Sequence, residues 1–362
     1  MTIYMREDVQ FVKPNARKHP QRSSIQHWQL RDLIACPTSK SEFIYVNQNN
    51  VYSYNTEQKQ VTPVLKDLGF SPTSITTGQG FLAAGGPRSQ LMVRQLSSNW
   101  CAQTTVGGAI NNAMSISQHL GGTRLLICNN DETIKVYSLP GMQRVHTIQL
   151  PTPVNYAAVS PDGRKMIAVG DSPQVFLYDI SASDSYSKIA TLTASTDAGF
   201  SCAWNQSSER FAVASQDGYV SIWDIRSTEK IAKLGSKQNP QVKGACRSVK
   251  FSPTGSIDLL LYSEHMSYVN VVDARSFNER QTIRVAPSSS DQHISGICFS
   301  PCSKTIFVGE SFVCQRNMDV PFHDLSGYLT THSTPGVGME SNVWEFNVDT
   351  INRRCFPEGS II

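Results

Sequence analysis

The sequence predicts an all-β protein, a ring of seven small sheets built from repeats of about 40 residues. Three observations carry this. First, residues 211–226 read as two short strands about a turn: Phe211 and Val213, then Val220 and Ile222, alternate with other residues as strands with one buried face do. Asp217-Gly218 lies between them, and Gly supplies the positive φ that a tight turn needs. Second, other candidate closing strands align on Trp223 through Tyr54, Arg94, Tyr137, Tyr178, Val272 and Trp344. The first six of these seven anchors are spaced 40–49 residues apart, close to the period of a four-stranded repeat. Third, the chain has 362 residues, 40% hydrophobic and only 17% charged. That is enough to bury a large core and too apolar for overall disorder.

Taken in order, residues 1–24 carry little periodicity. Lys13, Arg17, Lys18 and Arg22 make the segment basic, and it reads as a solvated tail or a closing edge strand. The ring is expected over 25–362. Blade 1 shows strands at 43–46 and 51–54 about the turn Asn47-Gln48-Asn49-Asn50. Blade 2 has a strand at 81–84, the turn Gly85-Gly86-Pro87, and Arg94 in place of the closing aromatic. Blade 3 has strands at 125–128 and 133–137 about Asn129-Asn130-Asp131-Glu132. Blade 4 carries the turn Ser160-Pro161-Asp162-Gly163 and closes on Tyr178-Asp179. Blade 5 draws its first strand from 193–205 and continues through 211–226. Blade 6 turns at Ser252-Pro253-Thr254-Gly255 and closes on Val272-Asp273. Blade 7 opens at Phe299-Ser300-Pro301 and closes on Val343-Trp344-Glu345.

Phe251 and Phe299 stand 48 residues apart, so blade 7 starts on schedule. Its surplus of residues therefore falls between its second and third strands, at about 310–341. Cys314, Met318, Val320, Phe322, Tyr328 and Leu329 make this insertion too apolar for a linker. It reads as a partner-binding loop or a flap packed on the ring. Closing the ring needs an outer strand for blade 7, from 353–356 or from part of 1–25.

Residues 211–226 closely resemble one repeat of the WD-repeat β-propeller family, and the resemblance implies a seven-bladed propeller. It also implies a buried structural hydrogen-bond set of Ser215, Asp217 and Trp223, with Asp224 after the Trp and Ser195 where a His is frequent. Phe211 to Arg226 further resembles WD proteins that dock onto cullin-RING ubiquitin-ligase adaptors, and Asp273-Ala274-Arg275 echoes its end. Two stretches widen the likeness: Gln26-His27-Trp28-Gln29-Leu30-Arg31-Asp32-Leu33, and residues 268–277. They look like a group of largely uncharacterised fungal and plant WD-repeat proteins, some of which act as substrate receptors of a multisubunit ubiquitin ligase.

No catalytic pattern rises above background. There is no phosphate-cradling Gly-rich loop with a Lys and no Gly-x-Ser-x-Gly elbow. Cys298 and Cys302 read as a strand-to-turn pair with no second pair at zinc spacing. His265 beside Glu264, and His323 beside Asp324, are ordinary His-carboxylate neighbours. No enzyme activity, cofactor or metal is expected. Net charge is +3, so composition makes no electrostatic case for nucleic acid, and a nucleic-acid or chromatin role resting on the basic N-terminal segment is the disfavoured alternative. No run fit for a signal peptide or a membrane span appears. Nine scattered cysteines read as reduced thiols of a cytoplasmic or nuclear protein.

The expected function is a non-enzymatic protein-interaction scaffold in a multisubunit complex. In its most specific form it recruits substrates to a ubiquitin ligase. Arg226 and Arg275 are the expected partner contacts on one face, Phe322 and Tyr328 on the other.

Overall fold

In the computed structural model the described residues are 5–27, 29–181, 185–237, 244–311 and 341–349. Among them every regular element is a strand. The first is β1 (Arg17–His19). Blade 1 follows with β2 (Ile34–Ala35), β3 (Glu42–Asn47), β4 (Asn50–Asn55) and β5 (Gln60–Leu65), and blade 2 with β6 (Ser74–Gly78), β7 (Phe81–Gly85), β8 (Gln90–Gln95) and β9 (Cys101–Thr105). Blade 3 is β10 (Asn111–His119), β11 (Gly122–Asn129), β12 (Thr133–Leu139) and β13 (Gln143–Gln149). Blade 4 is β14 (Val154–Val159), β15 (Lys165–Gly170), β16 (Gln174–Ser181) and β17 (Ser185–Thr193). Blade 5 is β18 (Gly199–Trp204), β19 (Arg210–Ser215), β20 (Tyr219–Asp224) and β21 (Lys230–Gly235). Blade 6 is β22 (Cys246–Phe251), β23 (Leu259–Glu264), β24 (Tyr268–Asp273) and β25 (Arg280–Arg284), and β26 (His293–Phe299), β27 (Thr305–Ser311) and β28 (Val343–Asn347) belong to blade 7. Each blade is an antiparallel meander of four strands, and the seventh runs β26-β27-β28-β1. The seven-bladed propeller expected from the repeats is the fold observed.

The strands of blade 5 bury more than alternation promised. Phe211, Ala212, Val213 and Ala214 in β19 are all fully buried. The reason is the sandwich: each blade is covered on both sides. Phe211 and Val213 pack toward blade 4 with Trp204 and Trp223, while Ala212 and Ala214 pack toward blade 6 against Cys246 and Leu260. Large residues fill one gap between blades and small residues admit the neighbour on the other side, so period-2 alternation here sorts size rather than polarity.

The outer edge of a blade must splay from its neighbours. In blades 3, 4 and 5 the pairing of the third and fourth strands slips by a residue just before Tyr137, Tyr178 and Trp223. Such a bulge raises the local twist beside the ring that anchors the blade. In blades 2 and 6, where Arg94 and Val272 hold the anchor position, the same pairing runs without a slip.

β1 closes the ring. Arg17 pairs with Glu345, Lys18 with Trp344 and His19 with Val343. His19 is buried; its Nε2 lies 2.8 Å from Glu345 Oε2, and its ring packs against Tyr54 of blade 1 at 5.3 Å. The residues before β1 strap the outside of blade 6. Arg6 bridges to Glu279, Glu7 pairs with Arg280, and the backbone amides of Phe11 and Val12 donate to Gln281 Oε1 at 2.7 and 3.0 Å. The alternative closing segment, 353–356, lies outside the described residues.

One anchor is corrected. Trp223 pairs with Phe211 and Val272 with Leu260. The equivalent pair in blade 7 is Phe346 with Ile306, not Trp344, which pairs with Val308 two residues away. Trp344 and Phe346 lie on the same strand face, their rings stacked at 6.1 Å. A shift of two keeps every side chain on its face, so the aromatic pattern alone does not choose between them.

Candidate functional site: two turn faces and a central channel

The ring has two faces. One carries the turns between second and third strands of each blade, here the BC face. The other carries the turns between first and second and between third and fourth strands, here the AB/CD face. The turn of Ser215, Gln216, Asp217 and Gly218 is on the BC face. Gly218 has φ +84°, and an added Cβ would meet the Gly244 carbonyl at 2.9 Å. Asp217 Oδ2 accepts from the backbone amide of Thr196 at 3.2 Å and from its hydroxyl at 3.4 Å, and Oδ1 accepts from the Tyr219 amide at 3.3 Å. Turn amides that would otherwise be buried are thereby satisfied.

The rest of the expected set is rearranged. Ser195 turns to its own loop and donates to the Asp197 carbonyl, so Thr196 does the work at Asp217. Ser215 Oγ is buried with no hydrogen-bond partner among the described residues. Trp223 serves by packing: it is 1% exposed and stacks on Phe211 at 5.1 Å.

Arg226 and Arg275 lie on the AB/CD face, at the ends of β20 and β24. They share one geometry. The carboxylate two residues earlier accepts the Arg backbone amide, at 3.0 Å for Asp224 and 2.9 Å for Asp273. The same carboxylate takes a forked pair from the guanidinium: Arg226 Nε and Nη2 at 2.8 and 2.6 Å, Arg275 Nε and Nη2 at 3.2 and 3.0 Å. The Arg226 side-chain hydrogen bonds hold the Asp224 carboxyl well below its usual range. The two arginine side chains stay 74% and 52% exposed, so each is a turn cap that still presents positive charge to solvent. Arg210 joins the two blades here, donating to the Ala274 and Arg275 carbonyls at 3.0 and 3.2 Å.

Of the insertion, only its ends are described. Glu310 and Ser311 close β27, and Ser341 precedes β28, all three buried. Phe322 and Tyr328 lie outside the described residues. Because 312–340 connects a second strand to a third, it leaves from the BC face, opposite the two arginines. On the basic N-terminal segment, Arg17 lies 3.6 Å from Glu345 and Lys18 sits over the Trp344 ring. Ring closure thus engages Arg17 and Lys18 of this segment.

The seven cysteines described are free; Cys314 and Cys355 lie outside the described residues. Cys128, Cys202 and Cys246 are buried among apolar side chains, which raises their thiols.

Sequence reasoning missed the channel. Lys250 in β22 reaches across it: its Nζ lies 3.0 Å from Asp32 Oδ2 and 3.0 Å from the Tyr156 hydroxyl, which donates to Asp32 Oδ2 at 3.2 Å. Blades 1, 4 and 6 are thereby joined through one network. Burial pushes the Tyr156 hydroxyl up. Opposing the desolvation of Lys250, the Asp32 charge keeps its ammonium protonated. Beside this network the channel holds a cavity of about 640 Å³ near the AB/CD face, lined by Asp32, Cys36, Gly78, Phe251 and Pro301 among others. The available signal was Lys250 itself, a charge between Val249 and Phe251 on an inner strand.

The sequence is similar to known proteins in three ways. Residues 186–224 match the family described as WD domain, G-beta repeat, and residues 244–284 match an uncharacterised protein domain, DUF2415. An uncharacterised protein of Schizosaccharomyces pombe is 32% identical over 359 residues, covering 96% of this chain and 94% of its own length. An uncharacterised protein of Saccharomyces cerevisiae is 26% identical over 53% of this chain, which is 31% of its own length. Subunit I of eukaryotic translation initiation factor 3 from Debaryomyces hansenii is 24% identical over 43% of this chain and 49% of its own length.

Proposed function

Because this chain belongs to the WD-repeat β-propeller family, we propose that it is a non-enzymatic scaffold that holds two protein partners at once, one on each face of the ring. The observation that carries this reading is the separation of its exposed features. Arg226 and Arg275, fixed by their own carboxylates, project from one face, and the chain leaves for 312–340 from the other. A rigid ring that displays loops and turn residues at its two ends suits recognition rather than bond chemistry. Resemblance to a named subunit of a multisubunit factor supports a place in a larger complex.

In the more specific form of the proposal, the arginine face docks onto a ubiquitin-ligase adaptor and the insertion recruits the substrate. Pre-oriented guanidiniums match partner carboxylates, and Phe322 and Tyr328 are the residue types that anchor interfaces. Affinity purification with mass spectrometry tests both levels. The Arg226→Ala/Arg275→Ala double variant is expected to lose one set of co-purifying proteins, ligase subunits among them. Deletion of 310–341 is expected to lose a different set. Loss of the same partners by both variants refutes the two-face arrangement, and retention of ligase subunits by the arginine variant refutes the adaptor contact.

A further inference from the structure

Where the channel opens on the BC face, Arg31, Arg247, His265 and His293 come together. Arg31 lies in the segment that enters blade 1 and is 3% exposed. Its Nη1 donates to the carbonyls of His27 and Leu30 at 2.8 and 2.9 Å. Its Nε and Nη2 are buried and have no hydrogen-bond partner among the described residues. That pair of N–H groups is one of the forked edges with which a guanidinium takes two oxygens of one anion.

Arg247, at the start of β22, is 8% exposed; it lies over the Phe200 ring at 4.3 Å, with its Nε 3.2 Å from His265 Nδ1. His265 meets His293 edge to face at 5.1 Å. His293 opens β26 opposite Ser311, the last residue of β27. Burial, then the charges of Arg31 and Arg247, hold both imidazoles neutral. The carboxylate beside them in sequence, Glu264, is engaged elsewhere, accepting from the Lys237 amide at 2.7 Å and Asn270 Nδ2 at 2.9 Å.

We propose that this mouth of the channel binds a phosphate-class oxyanion, held by the free fork of Arg31 and by Arg247, with His265 and His293 donating from the side. The open fork of Arg31 takes two oxygens of the anion, and neutral imidazoles add donors without adding to the repulsion. The site is built into the ring wall. Leu33 donates its amide to the Ser295 carbonyl at 3.1 Å. A Cβ on Gly296 would lie 3.0 and 3.1 Å from the Ile34 and Leu33 nitrogens and 3.4 Å from the Arg31 carbonyl. β26 therefore presses directly on the segment that carries Arg31. This inference is independent of which proteins the two faces hold. Inorganic phosphate and a phosphate monoester share the chemistry.

The test uses the full chain, with melting temperature and calorimetric titration read in phosphate and in chloride at matched ionic strength. Wild-type protein is expected to show a saturable rise in Tm with phosphate and none with chloride. His265→Gln and His293→Gln are expected to fold and to weaken phosphate binding about tenfold each. Arg31→Met is expected to abolish the phosphate response, and to melt higher than wild type in chloride because a buried charge is gone. A second titration with phosphoserine separates the sources: binding at least as tight as inorganic phosphate assigns the site to a phosphate ester, and binding of inorganic phosphate alone assigns it to the free ion. The proposal is overturned if wild type melts identically in phosphate and chloride, or if both histidine variants bind phosphate as wild type does.

Discussion

Trp223 and Lys250 hold the ring by opposite means. Trp223 is buried among apolar side chains between blades 4 and 5, and Trp223→Ala is expected to lower the unfolding free energy by about 3–5 kcal/mol; denaturant titration would read this, and a loss below about 1 kcal/mol would contradict the packing described. Lys250 is held by charge. Asp32→Ala leaves its ammonium against Tyr156 without a carboxylate and is expected to cost on the order of 2–3 kcal/mol, less than a fully buried pair because both groups keep some solvent. Replacing both, as Asp32→Ala/Lys250→Met, should recover part of that loss in the same titration. Thiol chemistry separates residues in the same way. Cys101 is exposed. At Cys302 burial is outweighed by hydrogen bonds from Ser300 and the turn backbone, which lower the thiol. A thiol-reactive dye should therefore label these two quickly and reach Cys128, Cys202 and Cys246 only on unfolding. Trp223 and Asp217 were legible because their partners lie within about 20 residues, at spacings that a turn and two strands impose. The Asp32–Lys250–Tyr156 network was not, because its members stand 218, 124 and 94 residues apart and meet only once the ring is closed.

At the scale of the element, strand positions followed from alternation and turn residues almost throughout, because each hairpin is a local event. Register and burial were harder. Trp344 fits the sequence pattern of the blade 7 anchor as well as Phe346, which occupies it, since both share a face and the preceding insertion removes the spacing that would decide. The alternation of Phe211, Ala212, Val213 and Ala214 suggested one buried face where there are two, because the covering blade is a distant part of the chain. For the same reason the sequence offers two candidates for the closing strand, 353–356 and part of 1–25. β1 holds β28 through three residue pairs and the buried His19–Glu345 contact. Deleting residues 1–24 is expected to bare the edge of β28, lower the melting temperature and promote association through that edge; calorimetry and light scattering would read both effects, and a monomer of unchanged melting temperature would show that β1 is dispensable.

For the molecule as a whole, the cluster at the channel mouth contributes a pH dependence of definite sign. Burial, with the charges of Arg31 and Arg247, lowers His27 and His293 to about 4, and His265 further. An unfolded chain takes up these protons near pH 6.5 while the native ring declines them. Stability from these groups is therefore complete above pH 6.5 and is lost as pH falls toward 4, by about 1.4 kcal/mol per unit for each histidine. Glu310, whose carboxyl is raised by burial, acts with the opposite sign. The comparison to make is the slope of unfolding free energy between pH 6.5 and 4 in wild type and in His293→Gln, which should be shallower in the variant. The closure of blade 7 also has a consequence in time. β1 leaves the ribosome long before β28, which it must pair with and which exists only after residue 347 has been added. At roughly 5–20 residues per second that delay is on the order of tens of seconds. Throughout it the nascent chain is an open arc with a raw edge at each end. The seam of this ring is thus the last thing made and the longest exposed, and a weakened β1 would show first as lost yield during synthesis, before any purified molecule could be measured.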